Sequence, residues 1–142
     1  MLEYLNKNNN LSNDDYFILA QATSPFTLST NVNEALDILE KNKNFDSLLS
    51  GVNFKRFLWD YNTNLPINYN YKKRPRRQDF NGYFMENGAF YISKIKNILQ
   101  SQNRISGSIY MYEMDEVSSL EIDEEIDWEI AEHFVKNINQ KK

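Results

Sequence analysis

Two short stretches of this 142-residue chain concentrate the residue types that act on anions. In the first, Lys72-Lys73-Arg74-Pro75-Arg76-Arg77 packs five cations into six residues, with Gln78 and Asn87 close behind. Guanidinium forks grip carboxylate or phosphate oxygens through paired N–H bonds. In the second, Glu113 to Glu132 carries ten of the chain's 20 acidic residues and no base. Within it Glu121 and Asp123 are two apart, so on an extended segment both point to one face. Two hard carboxylates side by side can hold Mg²⁺ and leave positions open for phosphate oxygens.

Each stretch has a plainer reading. The basic run is also what a solvated charged surface or a nuclear-localisation address looks like. The acidic run is also a solvated face ahead of a helix. Other chemistry has little support. His133 is the single histidine and there is no cysteine, so neither a thiolate metal site nor a disulfide framework is available. Ser24 lies in Thr-Ser-Pro, without a glycine elbow around it. The four glycines do not form a phosphate loop.

The formal charge is −4, which disfavours the chain as a whole as a nucleic-acid binder. No apolar run approaches the roughly 20 residues that cross a bilayer, and the polar start has no signal-peptide core. No membrane partner is expected.

Tyr16 to Ala20 is a continuous apolar run, predicted as a buried strand. Pro25 stops it, and Ser29 or Thr30 is placed to cap a helix over 31–41 with Val32, Ala35, Leu36 and Leu39 at helical spacing. Asp46 to Val52 reads as a second buried strand, which makes a βαβ unit. In residues 53–86, aromatic and polar residues alternate, the pattern of short antiparallel strands or an extended arm. A strand over 87–92, a short helix over 93–100 and a strand over 109–114 follow. Asp127 should cap a last helix with Ile130, Phe134 and Ile138 inward. Residues 1–15 and 139–142 are expected to fray.

Taken together, these segments resemble the CMP-sialic acid synthetases, or acylneuraminate cytidylyltransferases, and most of all their animal-type signature. Four matches carry the resemblance, in order, between Tyr16 and Val135. Ile18 to Pro25 resembles the family's strand ending in Gln-(Ala/Pro)-Thr-Ser-Pro. Phe45-Asp46-Ser47 and the strand after it resemble a second family strand. Lys73 to Asp79 with Glu86-Asn87-Gly88-Ala89-Phe90-Tyr91 resembles the sugar-site signature. Ser119-Leu120-Glu121-Ile122-Asp123, followed by Asp127-Trp128 and Ala131-Glu132, resembles the metal motif and closing helix. This chain has Glu121 where the family commonly has aspartate, and Phe26-Thr27 where many bacterial members place an arginine.

The resemblance implies an α/β fold: a Rossmann-like, mostly parallel sheet with flanking helices and an extended β arm, lacking the first strand-loop-helix units. It implies one domain portion over 16–138, with 53–86 as dimerisation arm and sugar-site loop. It further implies transfer of CMP from CTP to an acidic nine-carbon sugar, with release of pyrophosphate and Mg²⁺ as cofactor. Glu121 and Asp123 would hold the metal, and Arg76 would take the catalytic role. Gln21, Arg74, Arg77, Gln78 and Asn87 would bind substrate. The implied partners are CTP, the acidic sugar, a second copy in a homodimer or higher homo-oligomer, and a separate N-terminal half. The implied location is cytoplasmic, or nuclear in a eukaryote through Lys72 to Arg77. The alternative is a catalytically inactive fragment that serves as a dimerisation or nuclear-targeted module.

Overall fold

The computed structural model describes residues 11–139, from a turn through a four-stranded sheet to a closing helix. Strand β1 (Tyr16–Ala20) leads through a loop to helix α1 (Ser29–Lys41) and strand β2 (Ser47–Phe54). Two tiny strands, β3 (Trp59–Asp60) and β4 (Leu65–Pro66), form a separate hairpin. The long strand β5 (Tyr83–Lys94) runs into helix α2 (Ile95–Ser101), and β6 (Ile109–Met114) and helix α3 (Glu125–Asn139) complete the chain. No helix among the described residues is long and apolar enough to cross a membrane.

The sheet order is β1-β5-β2-β6. β5 is antiparallel to both β1 and β2, and β6 is parallel to β2. β1, β2 and β6 therefore point the same way, as the βαβ reading requires. The expected mostly parallel sheet describes strand directions but not pairings: β5 slots between β1 and β2, so only one of the three hydrogen-bonded pairs is parallel. The cause is local connection length. β5 follows β2 through the arm and returns beside it, which an antiparallel strand does without a crossover.

The core lies between α1 and one face of the sheet. Ala35 and Leu39 of α1 meet Leu48, Val52, Phe90 and Ile92, all essentially inaccessible to solvent. β2 is central, hydrogen-bonded on both edges and buried over its first six residues. Neither Ser29 nor Thr30 caps α1. Leu28 is the N-cap, and Asn31 reaches back one turn, its Oδ1 accepting from the Leu28 N–H at 3.0 Å. Asp127 does satisfy the start of α3, but from inside the first turn: its carboxylate accepts from the N–H groups of Asp123 and Glu124.

The inward face expected for α3 is corrected. Ala131 is its buried residue, while Ile130 and Phe134 are each 39% exposed. The helix rests on the loop after β1 through a small side chain, and Phe134 meets Phe26 edge to face. The side chain of Ile138 lies outside the described residues, as do 1–10 and 140–142 of the ends expected to fray. Residues 12–15 form a turn pinned to α2: the backbone N–H groups of Ile95 and Lys96 donate to Asp15 and Asn13 carbonyls.

One irregularity organises the sheet. β2 pairs Leu49 with Tyr91 and Gly51 with Glu86, so four residues of β5, 87–90, stand opposite the single Ser50. This bulge turns Asn87 inward, where it is 3% exposed. Its Oδ1 accepts from Ser50 Oγ at 2.7 Å and the Ala89 N–H at 3.3 Å. Its Nδ2 donates to the Ser118 carbonyl at 3.0 Å and also approaches Ser118 Oγ. Every strong donor and acceptor of this amide is used within the protein. Removing it leaves the Ser118 carbonyl without its donor, while the Ser50 hydroxyl keeps only the Phe90 backbone as partner. Asn87→Ala should therefore lower stability in urea unfolding by about 1–3 kcal/mol. A loss below about 0.5 kcal/mol, ordinary for a surface change, would contradict this account.

Candidate active site

The carboxyl ends of β1, β2 and β6 converge at one end of the sheet. In open α/β sheets that end is where ligands bind. Three sequence segments meet there. The first is the loop leaving β1, where the Gln21 N–H donates to the Ala89 carbonyl and the Ile122 N–H donates to the Thr23 carbonyl. The second is the β5 bulge, whose Gly88 adopts φ +65°, a left-handed conformation that glycine takes without strain. The third is the segment after β6, a 3₁₀ turn (Glu116–Ser119) that runs into Glu121 and Asp123. A Cβ on Gly88 would collide with both Gln21 Oε1 and Glu121 Oε1. The glycine is thus the floor on which an amide and a carboxylate come together.

Electrostatics mark the same place. Partial burial, then the neighbouring charge of Asp123, pushes the Glu121 carboxyl above the ordinary glutamate value. A carboxylate whose proton affinity is raised beside another carboxylate is one that a cation relieves. No cluster of three metal-capable side chains lies together among the described residues. The pair therefore suits a divalent ion that retains waters and takes substrate oxygens, as Mg²⁺ does, rather than a fully protein-caged one. Nearby, the Ser24 and Thr27 hydroxyls are buried without a hydrogen-bond partner among the described residues.

The basic loop approaches this end without closing on it. Arg77 Nη2 lies 3.9 Å from Glu116 Oε1, at the start of the turn that leads to Glu121. Arg76 and Gln78 are exposed, and Arg76 makes no ion pair among the described residues. Arg74 stacks its guanidinium 4.3 Å above the Phe57 ring, and Phe57 in turn packs on Tyr69 and Phe80. Its role visible here is to brace the loop against the arm. The structure thus brings Gln21 and Glu121 together, sets Asp123 beside them, places Arg77 along the approach and leaves Arg76 and Gln78 free in solvent. Asn87, expected to bind substrate, has its side-chain amide buried and hydrogen-bonded to Ser50, Ala89 and Ser118.

Two further observations lay outside the sequence reading. Asp46 and Ser47 sit at the opposite end of the sheet, where the Asp46 carboxylate accepts from the Ser108 N–H at 2.9 Å and Ser47 Oγ donates to the Ser106 carbonyl at 2.8 Å. They lock β2 to the start of β6. Glu86, Tyr91 and Arg104 form a cluster beside the bulge. The Tyr91 hydroxyl donates to Glu86, and Arg104 stacks 4.2 Å over the Tyr91 ring. Burial, the hydrogen bond to Glu86 and nearby acids including Glu121 push the Tyr91 pKa up to about 12.

No family model matches the sequence. The chain is 38% identical over 122 residues to N-acylneuraminate cytidylyltransferase A of Danio rerio, covering 81% of this chain and 28% of the relative. It is 37% identical over 124 residues to N-acylneuraminate cytidylyltransferase of Oncorhynchus mykiss, covering 81% and 27%. It is 29% identical over 132 residues to the N-acylneuraminate cytidylyltransferase of Escherichia coli O18:K1:H7, covering 89% and 31%. The chain spans less than a third of the length of these relatives.

The raised Glu121 pKa has a sign that can be checked. Between the unfolded value near 4.5 and the higher folded value, the folded state binds more protons, so stability falls as pH rises through that window. Glu121→Gln should raise the melting temperature at pH 7 without metal, and the gain should fade below pH 4.5. Mg²⁺ should raise the melting temperature of the unsubstituted chain more than that of the variant. A variant melting at or below the parent at pH 7 would refute the assigned strain.

Proposed function

The chain belongs to the N-acylneuraminate cytidylyltransferase family, and we propose that it provides the sugar-binding and metal-binding side of a site that transfers CMP from CTP to an acidic nine-carbon sugar. The convergence of Gln21, Gly88 and Glu121 at the carboxyl end of the sheet carries this reading. Two carboxylates, an amide and arginines on the approach are the groups such a reaction uses.

In the proposed roles, Glu121 and Asp123 hold Mg²⁺, which when bound draws off negative charge from the phosphoryl oxygens. Gln21 offers its amide to the sugar from above Gly88. Arg77, beside the turn that leads to the carboxylates, receives the anionic groups of sugar and phosphate, and Arg76 stabilises the charge that builds as the sugar hydroxyl attacks the α-phosphorus. Gln78, exposed beside them, hydrogen-bonds the sugar. Arg74 fixes the loop through Phe57. The bond formed joins the sugar oxygen to phosphorus, and the bond broken releases pyrophosphate.

The arm supports a partner. Trp59, Tyr61, Leu65 and Ile67 are exposed by 49%, 99%, 57% and 60%, on a hairpin that stands apart from the sheet. We assign it to contact with a second copy, in line with the large apolar side chains that interfaces bury.

Titrating an N-acylneuraminate with Mg²⁺ into the ¹⁵N-labelled chain should shift the amides of Gln21, Gly88 and Glu121. Arg77→Ala should weaken that binding about tenfold or more, as loss of a charged partner to an anion does. In a pyrophosphate-release assay with CTP and the sugar, Arg76→Ala should lower turnover by about 10²–10³. Sugar-induced shifts confined to the far end of the sheet, around Asp46 and Gly107, would overturn the placement.

A further inference from the structure

The bulge that presents Gly88 must be held at both ends. Asn87 secures it from the core side. On the other face, the register places Glu86 opposite Gly51 and Tyr91 opposite Leu49. These two positions of β2 are two apart and share a face, so Glu86 and Tyr91 also share one, with residues 87–90 between them. Their side chains meet: the Tyr91 hydroxyl donates to Glu86 Oε1. Arg104 joins them from the loop after α2. Its guanidinium lies 4.2 Å over the Tyr91 ring, and its Nη2 donates to the same Glu86 Oε1 at 3.3 Å. That loop is itself tied to β5, since Ser93 Oγ donates to the Arg104 carbonyl at 2.7 Å.

We propose that Arg104 is a positioning residue: with Glu86 and Tyr91 it staples the two ends of the β5 bulge, and so sets Gly88 at the height that lets Gln21 and Glu121 meet above it. Three features support this. Tyr91 is 3% exposed, so its ring is fixed and gives the guanidinium a rigid platform. Glu86 Oε1 receives both donors, so one carboxylate oxygen couples the strand to the loop. Gly88 lies close under both side chains, because a methyl added to its Cα would meet Gln21 Oε1 and Glu121 Oε1. A small change in the bulge therefore reaches the carboxylate pair directly. Arg104 is half exposed and belongs to no core cluster, so its loss leaves the fold intact.

The proposal rests on the metal reading of Glu121 and Asp123 for its consequence, but its test separates the two. With only four glycines in the chain, ¹⁵N-glycine labelling gives a simple amide spectrum in which Gly82, packed on Asn53 and Lys55, is the internal control; Gly51 faces Glu86 and Gly107 shares the Arg104 loop, so these two move with the staple. Arg104→Ala and Tyr91→Phe should each shift the Gly88 amide and speed its hydrogen exchange while Gly82 stays close to its place. Mn²⁺ added as the probe should broaden Gly88 in the unsubstituted chain, and both variants should need about tenfold more Mn²⁺ for the same broadening, the size of effect seen when a ligand's outer support is removed. Arg104→Lys, which restores the charge toward Glu86 but not the flat stack, should fall between. An unmoved Gly88 in folded Arg104→Ala overturns the proposal, and so does an equal change at all four glycines, which would mark general loosening. If Mn²⁺ fails to broaden Gly88 in the unsubstituted chain, the metal reading falls, and the Gly88 shift still decides the staple.

Discussion

The site depends on one buried amide. Asn87 is the point where β2, β5 and the turn after β6 are joined, through Ser50 on one side and Ser118 on the other. An amide in a dry interior must have all its hydrogen bonds made, because each unmade one costs its full desolvation. That requirement allows few geometries. It forces β5 to bulge, turns the next residue outward in a left-handed conformation, and draws the segment that holds Glu121 against the sheet. Everything at the carboxyl end of the sheet follows from this knot.

The outward side of the same bulge carries the candidate chemistry. Gly88 brings Gln21 and Glu121 within reach of one another by having no side chain. A carboxylate kept partly dry beside a second one is strained when it is ionised and alone, and a divalent ion removes the strain. The position is thus less comfortable for the protein than for a complex. Such local cost is typical of functional positions. The arginines supply the opposite charge from a loop that is braced on aromatic rings rather than on the sheet, with Arg74 on Phe57 as its anchor.

The remainder of the molecule divides into a rigid part and surfaces open to contact. The rigid part is the sheet with α1, held at its far end by Asp46 and Ser47 against Ser106 and Ser108. The open surfaces are the β3–β4 hairpin, with Trp59 and Tyr61 in solvent, and a groove along α3, where Trp128 and Val135 flank the buried Ala131 and are 57% and 47% exposed.

Local patterns in the sequence settled much of this. Apolar runs and helical spacing placed β1, α1, β2 and β6 within a residue or two, but β1, expected to be buried, is an edge strand with Ile18 38% exposed. The motif pattern singled out Gln21, Arg77, Glu121 and Asp123 as candidates, since short-range chemistry needs particular side chains at particular spacings, and the structure gathers Gln21 and Glu121 over Gly88. What the chain alone did not show were outcomes of register. Asn87 belongs to the same motif as its neighbours, yet four residues of β5 facing one of β2 turned it into the interior as a structural tie. Glu86 and Tyr91, five apart, should fall on opposite faces of a regular strand, and the bulge put them on one, where Arg104 from a distant loop could join them. Bulges, strand insertion and the exposure of Phe134 depend on how separate segments meet. That is decided only when the hydrogen bonds of the whole sheet are satisfied together, because no single segment carries its partner's register.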